Sequence, residues 1–186
     1  MFDRGGNRKY LNSAERRAFL RAVSTVADPS RRAFLLTLFH TGCRISEALN
    51  VMSARVDLTN GSITFETLKR RRRGCFRAVP VPDVLTRDLR SLAEGKQPNE
   101  RLWKFSRPTA YRTVKATMRA ARIAGGMASP KGLRHGHGVA CVAVKIPLTT
   151  IQKWLGHARI ETTAVYLDVL GQEERALAQR LWRDSA

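Results

Sequence analysis

Residues 153–169 read KWLGHARIETTAVYLDV, a stretch that combines a helix end with two side chains capable of chemistry. We expect Thr149 or Thr150 to cap the helix IQKWLG at its start, and Gly156 to end it. His157 then stands at a helix boundary, which is an exposed kind of position. The stretch therefore predicts a short helix that delivers a histidine to its C-terminal end.

Tyr166 follows His157 in the same stretch. We expect it on a second helix, Glu161 to Leu170, and in the stretch around it Ile160, Val165 and Val169 face the core. A tyrosine in such a helix is either an aromatic packing residue or a nucleophile. The residues of this stretch alone leave both interpretations open.

Helical patterns surround this stretch on the N-terminal side. Asn12 or Ser13 is a candidate cap for a first helix, and the apolar run AFLLTLFH predicts a buried helix ending near Thr41-Gly42. Further helices are predicted at SEALNVM, at VLTRDLRSLAEG, from near Pro108 to Ile123, after Pro130, and at QEERALAQRLW. Between them, VDLTNGSITFETL and CFRAVPVP predict a small antiparallel sheet. The fold class is therefore mainly α with a small antiparallel β-sheet (α+β).

The composition indicates a globular domain with a polyanionic partner. The chain has 186 residues, of which 43% are hydrophobic, and its 34 Lys and Arg against 15 Asp and Glu give a net charge of +19. This excess favours DNA or RNA, because each neutralised phosphate releases counterions. An anionic membrane is the rival, but no long apolar segment accompanies the cations. Three dispersed cysteines and an N-terminus without an apolar signal core predict no metal site, no disulfide and a cytoplasmic, nucleoid-associated protein.

Three segments carry candidates for phosphate chemistry. Arg44 follows Thr41-Gly42-Cys43, and Glu47 lies one helical turn beyond it, so the two form either a phosphate fork with its support or a surface ion pair. The run KRRRRG holds five consecutive cations on a loop, suited to tracking a DNA backbone or simply solvated: Lys69, Arg70, Arg71, Arg72 and Arg73. Among these five only Lys69 can readily lose a proton, so a proton donor in this loop would be Lys69.

The third segment, SPKGLRHGHG, places Lys131 and Arg134 on one helical face. His135 and His137 point apart on a helix and lack a nearby carboxylate or cysteine, so they do not predict a metal site. We interpret both histidines as residues of the core or as supports for neighbouring side chains.

In their order along the chain these segments resemble the tyrosine recombinases, also called the phage integrase family. The resemblance rests on TGCRISEAL, a lysine in a β-hairpin loop, LRH, and LGHARIETTAVY, in which eight residues separate His157 from Tyr166. It extends from about Tyr10 to the C-terminus. Residues 1–9 are a glycine-containing, basic lead-in that we expect to be mobile. The resemblance implies that residues 10–186 are a catalytic domain without an N-terminal core-binding domain.

The resemblance also implies a role for each candidate. Tyr166 would attack the scissile phosphate and form a 3′-phosphotyrosyl bond, while Arg44 and Arg134 clamp the phosphate oxygens. Lys69 would protonate the leaving 5′-oxygen, and His157 would hydrogen-bond the phosphate and help to deprotonate or position Tyr166. Glu47 would orient its arginine. Lys131 stands where the family usually has histidine, so it retains a cation but is not a base near neutral pH.

The implied function is site-specific recombination through a Holliday junction, giving integration, resolution or inversion, without metal or ATP. The implied partners are double-stranded DNA, a homotetramer linked through the C-terminal helix, and an accessory DNA-binding protein. Two rivals stay open. The first is a type IB-like topoisomerase, which Lys131 favours. The second is a DNA-binding regulator without catalysis, whose function Tyr166→Phe would leave unchanged.

Overall fold

A computed structural model describes residues 1–67, 74–169, 179 and 182 of the chain. Its helices and strands follow one another as α1 (Ser13–Ser24), α2 (Pro29–Thr41), α3 (Ile45–Leu49), β1 (Val56–Asp57), β2 (Ser62–Glu66), β3 (Phe76–Pro80), α4 (Asp83–Ala93), α5 (Arg107–Ala120), α6 (Pro130–Ala143), α7 (Leu148–Leu155) and α8 (Glu161–Ala164). Single 3₁₀ turns cover Ser53–Arg55 and Leu167–Val169. The strands form an antiparallel sheet in the order β1-β2-β3. The predicted fold class is confirmed.

Local sequence signals explain most of the helix starts. Asn12 caps α1 in a reciprocal capping box, because its side chain accepts from the Glu15 amide at 2.8 Å while the Glu15 carboxylate accepts from the Asn12 amide at 2.8 Å. Asp28 caps α2 by a single bond, because its side chain accepts from the Arg31 amide at 3.0 Å, and Pro29 occupies the first helical position. The expected threonine cap of α7 is wrong. Pro147 precedes that helix, and Thr149 and Thr150 lie inside its first turn.

The main core surrounds α2, which packs against α1, α4, α5 and α6. Phe34 lies fully buried on this helix and meets Trp103 and Phe105 edge to face, with ring centroids 5.3 Å and 5.1 Å away. Each such buried large side chain contributes about 1.5–3 kcal/mol. The helix ends at Gly42, whose φ of 60° suits glycine, and a Cβ there would lie 2.7 Å from the His137 ring.

A second, smaller apolar cluster lies where α6, α7 and the residues after α8 meet. Its buried members are Cys141, Val142, Ile151, Leu155 and Tyr166. Gly42, at the end of the core helix, leads directly to Arg44 at the start of α3. The candidate site is therefore formed between the main core and this smaller cluster.

The N-terminal lead-in, expected to be mobile, is folded in the structure. Asp3 accepts hydrogen bonds from the amides of Gly5 and Asn7 at 2.9 Å and 2.8 Å, and Phe2 forms an antiparallel bridge with Arg8. The side chain of Arg8 then makes two 2.7 Å hydrogen bonds to Glu15 on α1. An aspartate followed by two glycines favours this turn, a local signal that the expectation of mobility overlooked.

Candidate active site

Arg44 and Glu47 form a supported pair rather than a surface pair. Arg44 occupies the residue before α3, and its Nη1 donates to Glu47 Oε1 at 2.7 Å while its amide donates to Glu47 Oε2 at 2.8 Å. The Glu47 side chain is fully buried, whereas that of Arg44 retains 23% exposure. Glu47 thus holds a guanidinium whose other face is open to a ligand.

Arg77 is a central member of this network that the sequence analysis missed. It lies on β3, with Nη2 donating to Glu47 Oε2 at 2.7 Å, Nη1 to Thr67 Oγ1 at 2.9 Å, and Nε to the Trp154 carbonyl at 2.8 Å. One buried arginine therefore ties α3, the end of β2 and α7 together. The available signal was that Arg77 stands two and four residues before the apolar Val79 and Val81. Residues two apart share a strand face, so Arg77 belongs to the face that these valines bury.

Arg134 lies in the first half of α6 and is also buried. Its Nη1 donates to the Gly42 carbonyl and its Nη2 to the Leu155 carbonyl, both at 2.8 Å. These bonds link α6 to the end of α2 and the end of α7. Burial, followed by the nearby Arg44 charge, lowers the pKa of Arg134 to about 10, which leaves it cationic at neutral pH.

His157 follows Gly156, whose φ of 66° ends α7 as predicted. The expected exposure is wrong, since His157 is buried and its Nδ1 lies 2.9 Å from Thr163 Oγ1. Thr163 comes from α8 and is fully buried, and no sequence signal marked it. A Cβ on Gly156 would lie 2.9 Å from the Arg77 guanidinium, so glycine is needed here for both backbone and space.

Tyr166 faces inward, and only 1% of it is exposed. The expectation that Val165 faces the core is wrong, because α8 stops at Ala164 and the following 3₁₀ turn leaves Tyr166 buried and Val165 38% exposed. Ile160, just before α8, is half-buried. The side chain of Val169 lies outside the described part of the structure. The Tyr166 ring lies against Gly138 of α6, where a Cβ would come within 2.6 Å of Cζ.

The two histidines of α6 behave differently. His137 is buried in the core, as predicted, with Nε2 3.4 Å from Cys141 Sγ. His135 instead lies 3.2 Å from the Tyr166 hydroxyl through its Nδ1. The prediction of a core residue is confirmed for His137, whereas the contact of His135 with the Tyr166 hydroxyl was not anticipated.

The charged groups that act most strongly on Tyr166 are the cations of Arg134 and Arg44. Burial raises the pKa of the Tyr166 phenol, while the guanidinium groups of Arg134 and Arg44 oppose that rise. Burial and the same two arginines lower the pKa of His157 to about 4, so its ring is neutral at neutral pH. A cationic, partly desolvated site of this kind is suited to an incoming anion.

Other predicted site residues lie at the edge of this arrangement or outside the description. Lys131 is exposed on α6, one turn before Arg134. Lys69, Arg70, Arg71, Arg72 and Arg73 lie outside the described residues. A groove beside His157 is lined by residues next to that run and by residues in and just after α7. Its lining residues are Thr67, Cys75, Phe76, Arg77, Thr149, Gln152, Lys153, Gly156 and His157.

Neither a metal cluster nor a membrane helix is found in the described ranges. Across residues 1–67 and 74–169, no three His, Cys, Asp or Glu side chains are grouped as metal ligands. Within the same part of the chain, no helix is long and apolar enough to span a bilayer.

Comparison with known proteins identifies the family. The model of the phage integrase family matches residues 9–173. The chain belongs to the phage integrase family. Among curated integrase-family relatives, the tyrosine recombinase XerA of Pyrococcus furiosus is 27% identical over 161 residues, covering 80% of this chain and 54% of the relative. XerA of Saccharolobus solfataricus is 30% identical over 158 residues, covering 85% and 51%. The chain thus spans about half the length of these relatives.

Solved structures of the phage integrase family share the fold. The XerA recombinase superposes with a TM-score of 0.77 at 24% identity, covering 92% of this chain and 64% of that one. The catalytic domain of bacteriophage HP1 integrase gives a TM-score of 0.67 at 20% identity, covering 91% and 93%. The Tn1549 transposon integrase in complex with a circular intermediate DNA gives 0.71 at 16% identity, covering 97% and 68%.

Proposed function

We propose that this chain cuts and rejoins DNA at specific sites through a covalent bond to Tyr166. The observation that carries the proposal is that two supported guanidinium groups act on the Tyr166 phenol while the ring of a buried, neutral His157 lies parallel to the tyrosine ring. Family membership supports the same chemistry. The DNA complex of the similar transposon integrase supports double-stranded DNA as the partner.

In the proposed reaction the Tyr166 oxygen attacks the scissile phosphorus and the bond to the 5′-oxygen breaks. Arg44 and Arg134 hold the non-bridging oxygens, where negative charge grows in the transition state. Preorganised donors of this type typically contribute about 10²–10³-fold each. Glu47 supports the proposal because it holds the Arg44 guanidinium by a charged hydrogen bond rather than leaving it to solvent. Arg77 in turn holds the Glu47 carboxylate by a second charged hydrogen bond.

The remaining roles concern protons and position. His157 uses Nδ1 for Thr163, so its Nε2 is the nitrogen left to hydrogen-bond the phosphate. Lys69 donates the proton to the leaving 5′-oxygen. Lys131 supplies a cation near Arg134, and Arg70, Arg71, Arg72 and Arg73 follow the DNA backbone. The phosphotyrosyl bond retains the energy of the broken phosphodiester, so the reaction needs no ATP, and these protein groups supply its charges without a metal ion.

Recombination, through a Holliday junction and a homotetramer linked by C-terminal helices, is the proposed outcome. An accessory DNA-binding protein is a further proposed partner. Of the proposed docking helix, Gln179 and Trp182 lie in the described part, and Trp182 is 57% exposed. Lys131 also favours a topoisomerase of type IB, which would use the same covalent step on unpaired sites.

Trapping of the covalent adduct in the native host tests this function. Wild type, Tyr166→Phe and, as a matched control, the exposed Tyr111→Phe are expressed, denatured rapidly and purified, and the attached DNA is sequenced. We expect DNA with one recurrent end on wild type and Tyr111→Phe alone. Scattered ends would indicate a topoisomerase. DNA on none of the three, with native DNA binding intact, would overturn the proposal in favour of a regulator.

A further inference from the structure

The Tyr166 hydroxyl has a specific hydrogen-bond partner that the proposed mechanism does not use. Among the described residues, the group within hydrogen-bond distance is His135 Nδ1, at 3.2 Å. His157 approaches the same tyrosine through its ring, nearly parallel at 16° with centroids 6.2 Å apart, while its Nδ1 is engaged by Thr163. The nitrogen placed to take a proton from the hydroxyl therefore belongs to His135.

The position of the tyrosine ring is defined by close packing. The ring crosses α6 at Gly138, where a Cβ would approach three of its carbons to within 2.8 Å. His135 lies one helical turn before Gly138, so the hydroxyl end of the ring reaches it. Arg134 is the residue before His135, so one helix carries both the proton acceptor and the phosphate clamp.

Burial and neighbouring cations keep His135 unprotonated at neutral pH. Burial comes first, and then the cations that face the ring: Lys131 and Arg134 of its own helix, Lys9 of the N-terminal segment, and the amino group of Met1. Together they lower the pKa of His135 to about 4, so Nδ1 can carry a free lone pair at neutral pH. A bound phosphodiester brings negative charge among these cations and thereby raises the basicity of the imidazole.

We propose that His135 is the general base of the cleavage step. The proposal rests on the function proposed above for Tyr166. As the Tyr166 oxygen bonds to phosphorus, the phenolic proton passes to His135 Nδ1, and the 5′-oxygen leaves with a proton from Lys69. In rejoining, the 5′-hydroxyl attacks, Lys69 regains a proton, and His135 returns its proton to the tyrosine. Protons and bonds therefore balance over a cycle.

The test separates proton transfer from packing. His135→Gln retains a hydrogen-bond acceptor but cannot take up a proton at neutral pH, and His40→Gln is the control, since His40 is also a half-buried histidine whose pKa lies at about 4. The rate of adduct formation in cells is measured for each. We expect His135→Gln to slow adduct formation by about 10²-fold and His40→Gln to leave it near wild type.

Each variant is then combined with 3,5-difluorotyrosine at position 166, whose phenol ionises more easily. Recovery of most of the lost rate in His135→Gln supports the base. Loss without recovery means a packing role, and faster adduct formation means that His135 holds the tyrosine inactive; either result overturns the proposal. An unchanged rate in His135→Gln refutes this role alone, whereas no adduct even in wild type refutes the function on which it rests.

Discussion

At the scale of single residues, Gly138 decides where Tyr166 lies. Gly138→Ala would place a methyl group 2.6 Å from Tyr166 Cζ, so the ring must move. Alanine also favours the helix over glycine by about 0.5–1 kcal/mol, so the fold should survive. We expect a folded protein that still binds DNA, with a loss of about 1–3 kcal/mol in the free energy of unfolding from overpacking, and little covalent adduct. Gly126→Ala is the control, because nothing lies within 4 Å of a Cβ there. Equal adduct yields from the two variants would contradict this account.

The site residues were predictable to different degrees for a physical reason. Arg44, Arg134, His157 and Tyr166 were predicted from the order and spacing of their segments, whereas the His135 contact depends on how the chain turns after α8. That turn is a switch from helix to 3₁₀ conformation that moves Tyr166 inward and Val165 outward. A single continuous helix over this stretch would instead turn Val165 toward the core and Tyr166 away from it.

At the scale of elements, Arg77 connects three pieces of structure through charged or buried hydrogen bonds. Arg77→Met leaves the buried Glu47 carboxylate with Arg44 as its remaining cation, and we expect a loss of about 3–5 kcal/mol in the free energy of unfolding. Arg55→Met is the control, since Arg55 meets Glu66 at 3.6 Å with 27% of each side chain exposed, and about 1 kcal/mol or less is expected. Urea unfolding measures both. Similar losses would show that Arg77 is not structurally special.

Several element boundaries followed short-range signals, although the predicted threonine cap of α7 did not. A cap at Asn12 or Ser13 and the stop at Gly156 were predicted because each involves groups within one turn, and the structure places the first cap at Asn12. The role of Arg77 was not, because Glu47 and Trp154 lie 30 and 77 residues from it and meet it only in the folded chain.

At the scale of the whole molecule, the histidines make stability dependent on pH. Burial, reinforced by neighbouring cations, lowers the pKa of His40, His135 and His157 to about 4 and that of His137 to about 3. The unfolded chain, with histidine pKa values near 6.5, therefore binds protons more readily than the native state. Their contribution to stability is complete above about pH 6.5 and is lost progressively as the pH falls toward 4.

We therefore expect the urea concentration at the unfolding midpoint to be clearly lower at about pH 5 than at about pH 7.5. High salt at both values screens the repulsion of the +19 net charge, so that the histidines dominate the difference. His137→Gln should reduce this dependence. A midpoint independent of pH would show that the native histidines titrate normally.

The measurement that tests the central claim most directly is the identity of the residue joined to DNA. Adduct is trimmed with nuclease and digested with protease, and mass spectrometry locates the remaining nucleotide among the three tyrosines, Tyr10, Tyr111 and Tyr166. The account predicts a 3′-linked nucleotide on the peptide that contains Tyr166. A nucleotide on Tyr10 or Tyr111, or an adduct that persists in Tyr166→Phe, would contradict it.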